Sequence, residues 1–176
     1  MTKGYKAIIG ESNAVDWYHM LCHSIARPRA KMILWLAIQD RLPTKYKLYK
    51  LGMIQHQRCE LCDGEDESLD HLLFRCPQTV RIWNDLLHWL DIKDTYSLNF
   101  DWMKKITKGK GIKRSILKAV STEVVSSIWM YRNHKTFGNM GLYSNTDSII
   151  THIQDIIVYR GWMKSTYRKH IANLIM

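Results

Sequence analysis

Apolar positions recur every three or four residues along most of the chain, the period of helices that bury one face. Residues 13–25 place Val15, Tyr18, Leu21, Cys22 and Ile25 on one such stripe, with Asn13 at the N-cap. Arg27-Pro28-Arg29 opens a second helix, and residues 31–41 are apolar nearly all round in their middle. Such a helix is usually central, so Leu34, Trp35 and Ile38 are expected to form the hub of the core. Leu42-Pro43-Thr44 stops it and caps a short helix over residues 45–51, with Gly52 just past its end. Residues 77–92 repeat apolar side chains at Val80, Trp83, Leu86, Leu87 and Leu90. Residues 93–99 read as a connection and 100–106 as a short helix. A long helix over 112–137 follows on Ile112, Ile116, Val120, Val124, Ile128 and Tyr131. Another spans 145–162 on Ile149, Ile153, Ile156 and Ile157, begun by Asn145-Thr146-Asp147, while 164–176 either extends it or frays. No long alternating strand and no internal repeat interrupts this pattern, which predicts an all-α helical domain.

One short window departs from the helical period. Residues 58–77 read RCELCDGEDESLDHLLFRCP and hold Cys59, Cys62, His71 and Cys76, three of the four cysteines in a C-x2-C-x8-H-x4-C spacing. Two thiolates two residues apart turn back onto one ion, and a second pair arriving from another backbone direction completes a tetrahedron, which is a zinc signature. Asp63-Gly64 supplies a turn after the first pair, and Ser68 is the expected N-cap for the segment that presents His71. His71 and Cys76 would diverge on an unbroken α-helix. Pro77 pushes the residue before it out of the α region, so the helix should end near Arg75 and free Cys76 to swing in. With all four positions taken by protein, the expected role is one structural Zn2+ and not a catalytic one. The competing readings are three unrelated buried cysteines, a disulfide framework, or His56 or His88 in place of His71. Cys22, outside the window between His19 and His23, reads as a buried, inert thiol.

Composition narrows the class. The chain has 176 residues with 46% apolar and 24% charged, and its seven tryptophans and nine tyrosines exclude a disordered polymer. One domain over 1–176 is expected, with basic helices over 1–58, the zinc loop over 59–76 and further helices over 77–176. The longest apolar run, 32–38, is too short to span a bilayer, and the amino end has no apolar run long enough for a signal peptide. Reduced thiols point to an intracellular compartment, nucleus or cytoplasm.

The net charge of +10 is unevenly placed. Residues 1–58 carry ten Lys and Arg against three Asp and Glu, residues 59–95 three against nine, and residues 96–176 thirteen against four. A phosphate polymer would therefore meet the flanks and not the zinc loop. Candidate contacts are Arg27, Arg29 and Lys31 at the start of the second helix, Lys45 and Lys47 beside Tyr46 and Tyr49, and the run 104–114 with Lys104, Lys105, Lys108, Lys110, Lys113 and Arg114. Each group has a plainer reading, respectively a solvated basic corner, snorkelling lysines on an amphipathic helix, and a solvated loop. The run 104–114 has two glycines but lacks the order of a phosphate loop.

Trp35-Leu36, Arg41-Leu42 and Thr44, then Cys59-x2-Cys62, Asp70-His71-Leu72-Leu73-Phe74-x-Cys76-Pro77 and Trp83 together resemble the zinc-binding domain that follows the reverse transcriptase in plant non-LTR (LINE-type) retroelements. Ile128-Trp129-Met130-Tyr131-Arg132-Asn133 resembles the IW-x-x-RN segment that often comes after it, so the likeness covers roughly residues 5–137. The resemblance implies RNA or single-stranded DNA binding in support of reverse transcription, by a module joined to a polymerase and often to a nuclease. No YxDD-like carboxylate pair is present, and Glu65-Asp66-Glu67 lie in the zinc loop without an evident partner. The expected function is thus a non-enzymatic nucleic-acid binder. The alternative is a protein-interaction adaptor recruited from a retroelement and docking through the acidic zinc face, residues 60–70.

Overall fold

The computed structural model describes residues 17–22, 24–93, 97–138 and 143–175. Asn13 and Val15, the expected start of the first stripe, lie outside them. What is described of that stripe is α1, Tyr18–Leu21. The order continues with α2 (Pro28–Ile38), α3 (Lys45–Lys50), a π-helical turn (His71–Arg75), α4 (Pro77–Trp89), α5 (Phe100–Thr107), α6 (Ile112–Phe137), α7 (Thr146–Trp162), a 3₁₀ turn (Ser165–Tyr167) and α8 (Arg168–Ile175). Among the described residues there is no strand, only an isolated antiparallel bridge between Arg58 and Asp66. The fold is all-α with an inserted Cys/His loop.

The long helix α6, not α2, is the axis of the core. It contacts α1, α2, α4, α5, α7 and the π turn. Its middle is buried on every side, including Ser121, Thr122, Ser126 and Ser127, whose small side chains let neighbouring helices approach closely. Gly111 and Gly138 bound it with φ of 102° and 66°, left-handed values that end a helix cheaply only at glycine. On α2 the core stripe is Ala30, Ile33, Leu34 and Ala37, while Trp35 and Ile38, expected at the hub, are half-buried at its edge. The reason is spacing: an apolar run nearly all round hides which face is inward, and the small residues Ala30 and Ala37 mark it here because α6 lies against them.

On α4 the buried face is Thr79, Ile82, Trp83, Leu86 and Leu87. Val80 and Leu90 from the expected stripe are half-buried, and the helix stops at Trp89. Asn99 caps α5 by accepting from the Trp102 amide at 2.7 Å. Asn145 and Ser148 close a reciprocal capping box at the start of α7. Residues 164–175 do not simply extend α7; they turn back as α8, which buries Ile171 and accepts a hydrogen bond from Trp89 Nε1 at the Leu174 carbonyl.

Candidate metal centre and its basic flanks

The loop between α3 and α4 is folded by its own backbone. The Cys59 amide donates to the Glu65 carbonyl at 2.8 Å, the Asp63 amide to the Cys59 carbonyl at 2.9 Å, and the Glu67 amide to the Gln57 carbonyl at 2.7 Å. Asp63 takes the left-handed conformation at the turn, φ 53°, a position that a short polar side chain tolerates. Gly64 needs no such freedom, since a Cβ there would meet Cys62 Sγ at an ordinary 3.8 Å.

Ser68 Oγ accepts from the His71 amide at 3.1 Å and so starts the helical turn that carries the histidine. From His71 to Arg75 that turn is wound as π and not α: the Cys76 amide reaches back five residues to the His71 carbonyl at 2.7 Å. The wider turn brings His71 and Cys76 to the same side. Cys76 then leaves in extended conformation, φ −61° and ψ 129°, immediately before Pro77 at the first position of α4. The indole Nε1 of Trp83 donates to the Leu73 carbonyl at 2.8 Å, and Phe74 stacks on Trp83 with centroids 5.9 Å apart. Liganding residues and the core of α4 thus share one rigid turn.

The donor atoms of Cys59, Cys62, His71 and Cys76 all lie within 4.8 Å of one another. Cys59 Sγ is 4.0 Å from Cys76 Sγ, and Cys62 Sγ is 3.3 Å from His71 Nε2. A tetrahedron with ~2.3 Å zinc–sulfur bonds has edges of about 3.8 Å, so the donors span the right space. The sulfurs are far beyond the ~2.05 Å of a disulfide, and all four cysteines are free. His71 Nδ1 donates to Glu65 Oε2 at 3.0 Å, which leaves Nε2 with its lone pair facing the sulfurs. Amides of Leu61 and Cys62 point at the Cys59 sulfur. Hydrogen bonding from Cys76 holds the Cys59 thiol down at about 5. The same contact, with burial, pushes Cys76 up, so the pair keeps one proton that a metal would expel. Three soft sulfurs, an oriented imidazole and burial of Cys59, His71 and Cys76 fit one structural zinc.

A second anchor was invisible in the sequence. Glu67, with a wholly buried side chain, meets Arg132 of α6, whose Nε donates to Oε1 at 2.9 Å and Oε2 at 3.1 Å. Nη2 approaches Oε1 at 2.6 Å as a charge contact without hydrogen-bond alignment. Glu67 Oε1 also accepts from the Lys45 amide at 2.9 Å. It therefore caps α3 where Thr44, the expected cap, makes no side-chain bond. One carboxylate joins the metal loop, α3 and α6.

Residues 1–83 match the family described as zinc-binding in reverse transcriptase. The matched stretch ends at Trp83, within α4 and beyond Cys59, Cys62, His71 and Cys76. The chain is also 20% identical over 167 residues to an Arabidopsis thaliana protein that carries the name of a ribonuclease H protein. That alignment takes in 93% of this chain, which spans about a quarter, 25%, of the relative's length. No solved structure matches.

The basic residues fall into two sets around the zinc-binding loop. Arg27 is tied to buried Glu123 of α6, with Nη2 to Oε2 at 2.8 Å and its amide to Oε1 at 2.7 Å. Lys31 donates to the Ser24 carbonyl at 3.1 Å. Lys45 is buried against Glu60, Lys47 pairs with Asp40, and Lys104 with Asp101. Exposed are Arg29, Lys105, Lys108, Lys110, Lys113 and Arg114, the last anchored by Nη1 to the Ile106 carbonyl. Four further acidic residues of the loop are engaged: Glu60 with Lys45, Glu65 with His71, Asp66 with Gln57 and Asp70 with Arg75. Cys22, expected to be buried, is half-buried at the rim of an open cleft. No described helix is long and apolar enough to cross a membrane.

Proposed function

We propose that this chain is a non-enzymatic RNA- or single-stranded-DNA-binding module, stabilised by one zinc ion held by Cys59, Cys62, His71 and Cys76 and related to retroelement reverse transcriptases. The observation that carries the reading is the segment from Lys105 to Arg114. Lys105, Lys108, Lys110 and Lys113 there stand exposed with no carboxylate partner among the described residues. Cations that serve folding are paired, as Arg27 and Arg132 are; these are not. Arg29 adds to the surface, whereas Arg27, Lys31, Lys45, Lys47 and Lys104 supply field while holding internal contacts. A nuclear or cytoplasmic setting suits both thiols and ligand.

Filter binding of the full chain to single-stranded RNA, single-stranded DNA and duplex DNA across a salt series tests this. About 0.7 units of log–log slope are expected per phosphate contacted on single strands. Affinity that stays flat between low and moderate salt refutes it.

A protein-docking role has one observation in its favour. Tyr49, Leu51 and Met53 are exposed at the end of α3, which is stapled to the metal loop through Glu67. Capture of a partner that survives nuclease treatment and is lost in Leu51→Ser/Met53→Ser would establish that reading instead.

A further inference from the structure

The basic loop does not lie on a flat surface. It forms one wall of a cleft of about 780 Å³, within the size range of small-ligand sites, that the metal centre does not touch. Tyr18 and His19 of α1 and Cys22 just after it line the cleft too, as do Tyr167 and the start of α6. The walls are held in place. His19 Nε2 is 3.0 Å from the Lys104 carbonyl, Lys118 Nζ donates to the Gly109 carbonyl at 3.2 Å, and Tyr167 donates to Ser115 Oγ at 2.7 Å.

The lining has a consistent chemistry. Among the described residues no acidic side chain contributes to it, while Lys108, Lys110 and Lys118 do. Gly109 and Gly111, with φ of 118° and 102°, keep the loop free of side chains where it borders the cleft, and a Cβ at Gly111 would meet nothing within 4 Å. Tyr18 is 57% exposed, so its ring is largely unused by the fold. Both hydroxyls are engaged, Tyr18 with Cys22 and Tyr167 with Ser115, but Lys164 sits 5.7 Å from the Tyr167 ring centroid, which makes Tyr167 wall and not platform. A ligand suited to this cleft is flat and aromatic at one end and anionic at the other. A metabolite acid would use the lysines but leave the tyrosine idle, and an apolar ligand would strand the lysines.

We propose that this cleft takes one nucleotide of a bound single strand, its base stacked on Tyr18 and its phosphate on Lys108 and Lys110. The inference rests on the nucleic-acid reading above and adds the place where a base is held. Stacking on one exposed aromatic is tolerant of base identity, so weak sequence preference is expected.

The test uses the full zinc-loaded chain and a single-stranded RNA carrying 2-aminopurine at one position. Wild-type protein should change the probe's fluorescence on binding. Tyr18→Ala should abolish that change and weaken binding roughly tenfold, while Tyr18→Phe keeps both. Lys108→Gln/Lys110→Gln, on an exposed loop with no folding role, should reduce the log–log salt slope by about 1.4. Millimolar AMP should compete with the probe if the nucleotide unit itself is what is recognised. Equal affinity and equal fluorescence in wild type and Tyr18→Ala, with the strand still bound, overturns the cleft and leaves the broader function standing. Failure of wild-type protein to bind any strand overturns the broader function. AMP bound without any strand binding would make the cleft a mononucleotide site and overturn the polymer claim.

Discussion

Replacing Glu67 with glutamine keeps the side chain's shape but removes the charge that faces Arg132. The two side chains are 0% and 1% exposed, so the guanidinium left behind has no water to turn to. Removing one member of a buried pair costs about 3–5 kcal/mol, because the remaining charge stays desolvated. The amide oxygen can still accept from Lys45, so the cap of α3 adds little to the loss. Arg132→Met should cost a similar amount from the other side. By contrast, removing one of the two exposed partners of Arg81, Asp85 at 3.7 Å, should cost about 0.5 kcal/mol. Urea unfolding monitored by tryptophan fluorescence in zinc-saturated buffer would read the difference. With a slope of roughly 2 kcal/mol/M, Glu67→Gln or Arg132→Met alone should lower the midpoint by about 2 M, and the Asp85 variant by about 0.25 M. Glu67→Gln/Arg132→Met should lose less than the sum of the singles, with a coupling of about 1–3 kcal/mol. Single losses below about 1 kcal/mol, or strict additivity, would refute the claim that this pair fastens the metal loop to α6.

Cys59→Ser should release zinc, read by metal analysis, and lower stability by several kcal/mol, since structural zinc contributes directly to folding. Glu65→Gln, which loosens the imidazole at its Nδ1, should weaken zinc binding about 10–100-fold in a chelator competition while the fold persists. Gly161→Ala would put a Cβ 2.5 Å from Ile171 Cγ1, inside a fully buried contact, at about 1–3 kcal/mol. Gly161→Ala/Ile171→Val should recover part of that loss in thermal melts. His152 is held below its usual 6.5 by burial and then by the nearby Arg27 charge. A depressed histidine supports the fold when neutral, so its contribution is full above that value and falls as pH drops below it; His152→Gln should flatten the acid side of the stability profile.

The sequence reveals structure where the constraint is local. The metal quartet is legible because ligand spacing is a short-range property, and α6 because its apolar period runs unbroken between two left-handed glycines. The π winding at His71 is not: the need to bring the histidine and Cys76 to one side is evident, but Pro77 is only part of the answer, and the turn also meets a distant partner in the Trp83 indole, which donates to the Leu73 carbonyl. Glu67 and Arg132 stand 65 positions apart, and nothing in an acidic loop tells a capping carboxylate from its solvated neighbours. A pattern of apolar residues nearly all round, as on α2, leaves the inward face undetermined until α6 is placed. Charge runs hide the same ambiguity. Lys45 and Lys105 look alike in the sequence, yet one is buried beside Glu60 and the other stands free in solvent.

On the proposed function, a metal-fixed loop keeps the helices in register, so that cations from the flanks meet a phosphate strand together. Fluorescence anisotropy of a labelled single-stranded RNA, followed while a chelator withdraws zinc and the released metal is counted, bears on this most directly. Affinity should fall in step with zinc release and return when zinc is restored. Undiminished binding by fully zinc-free protein would contradict it.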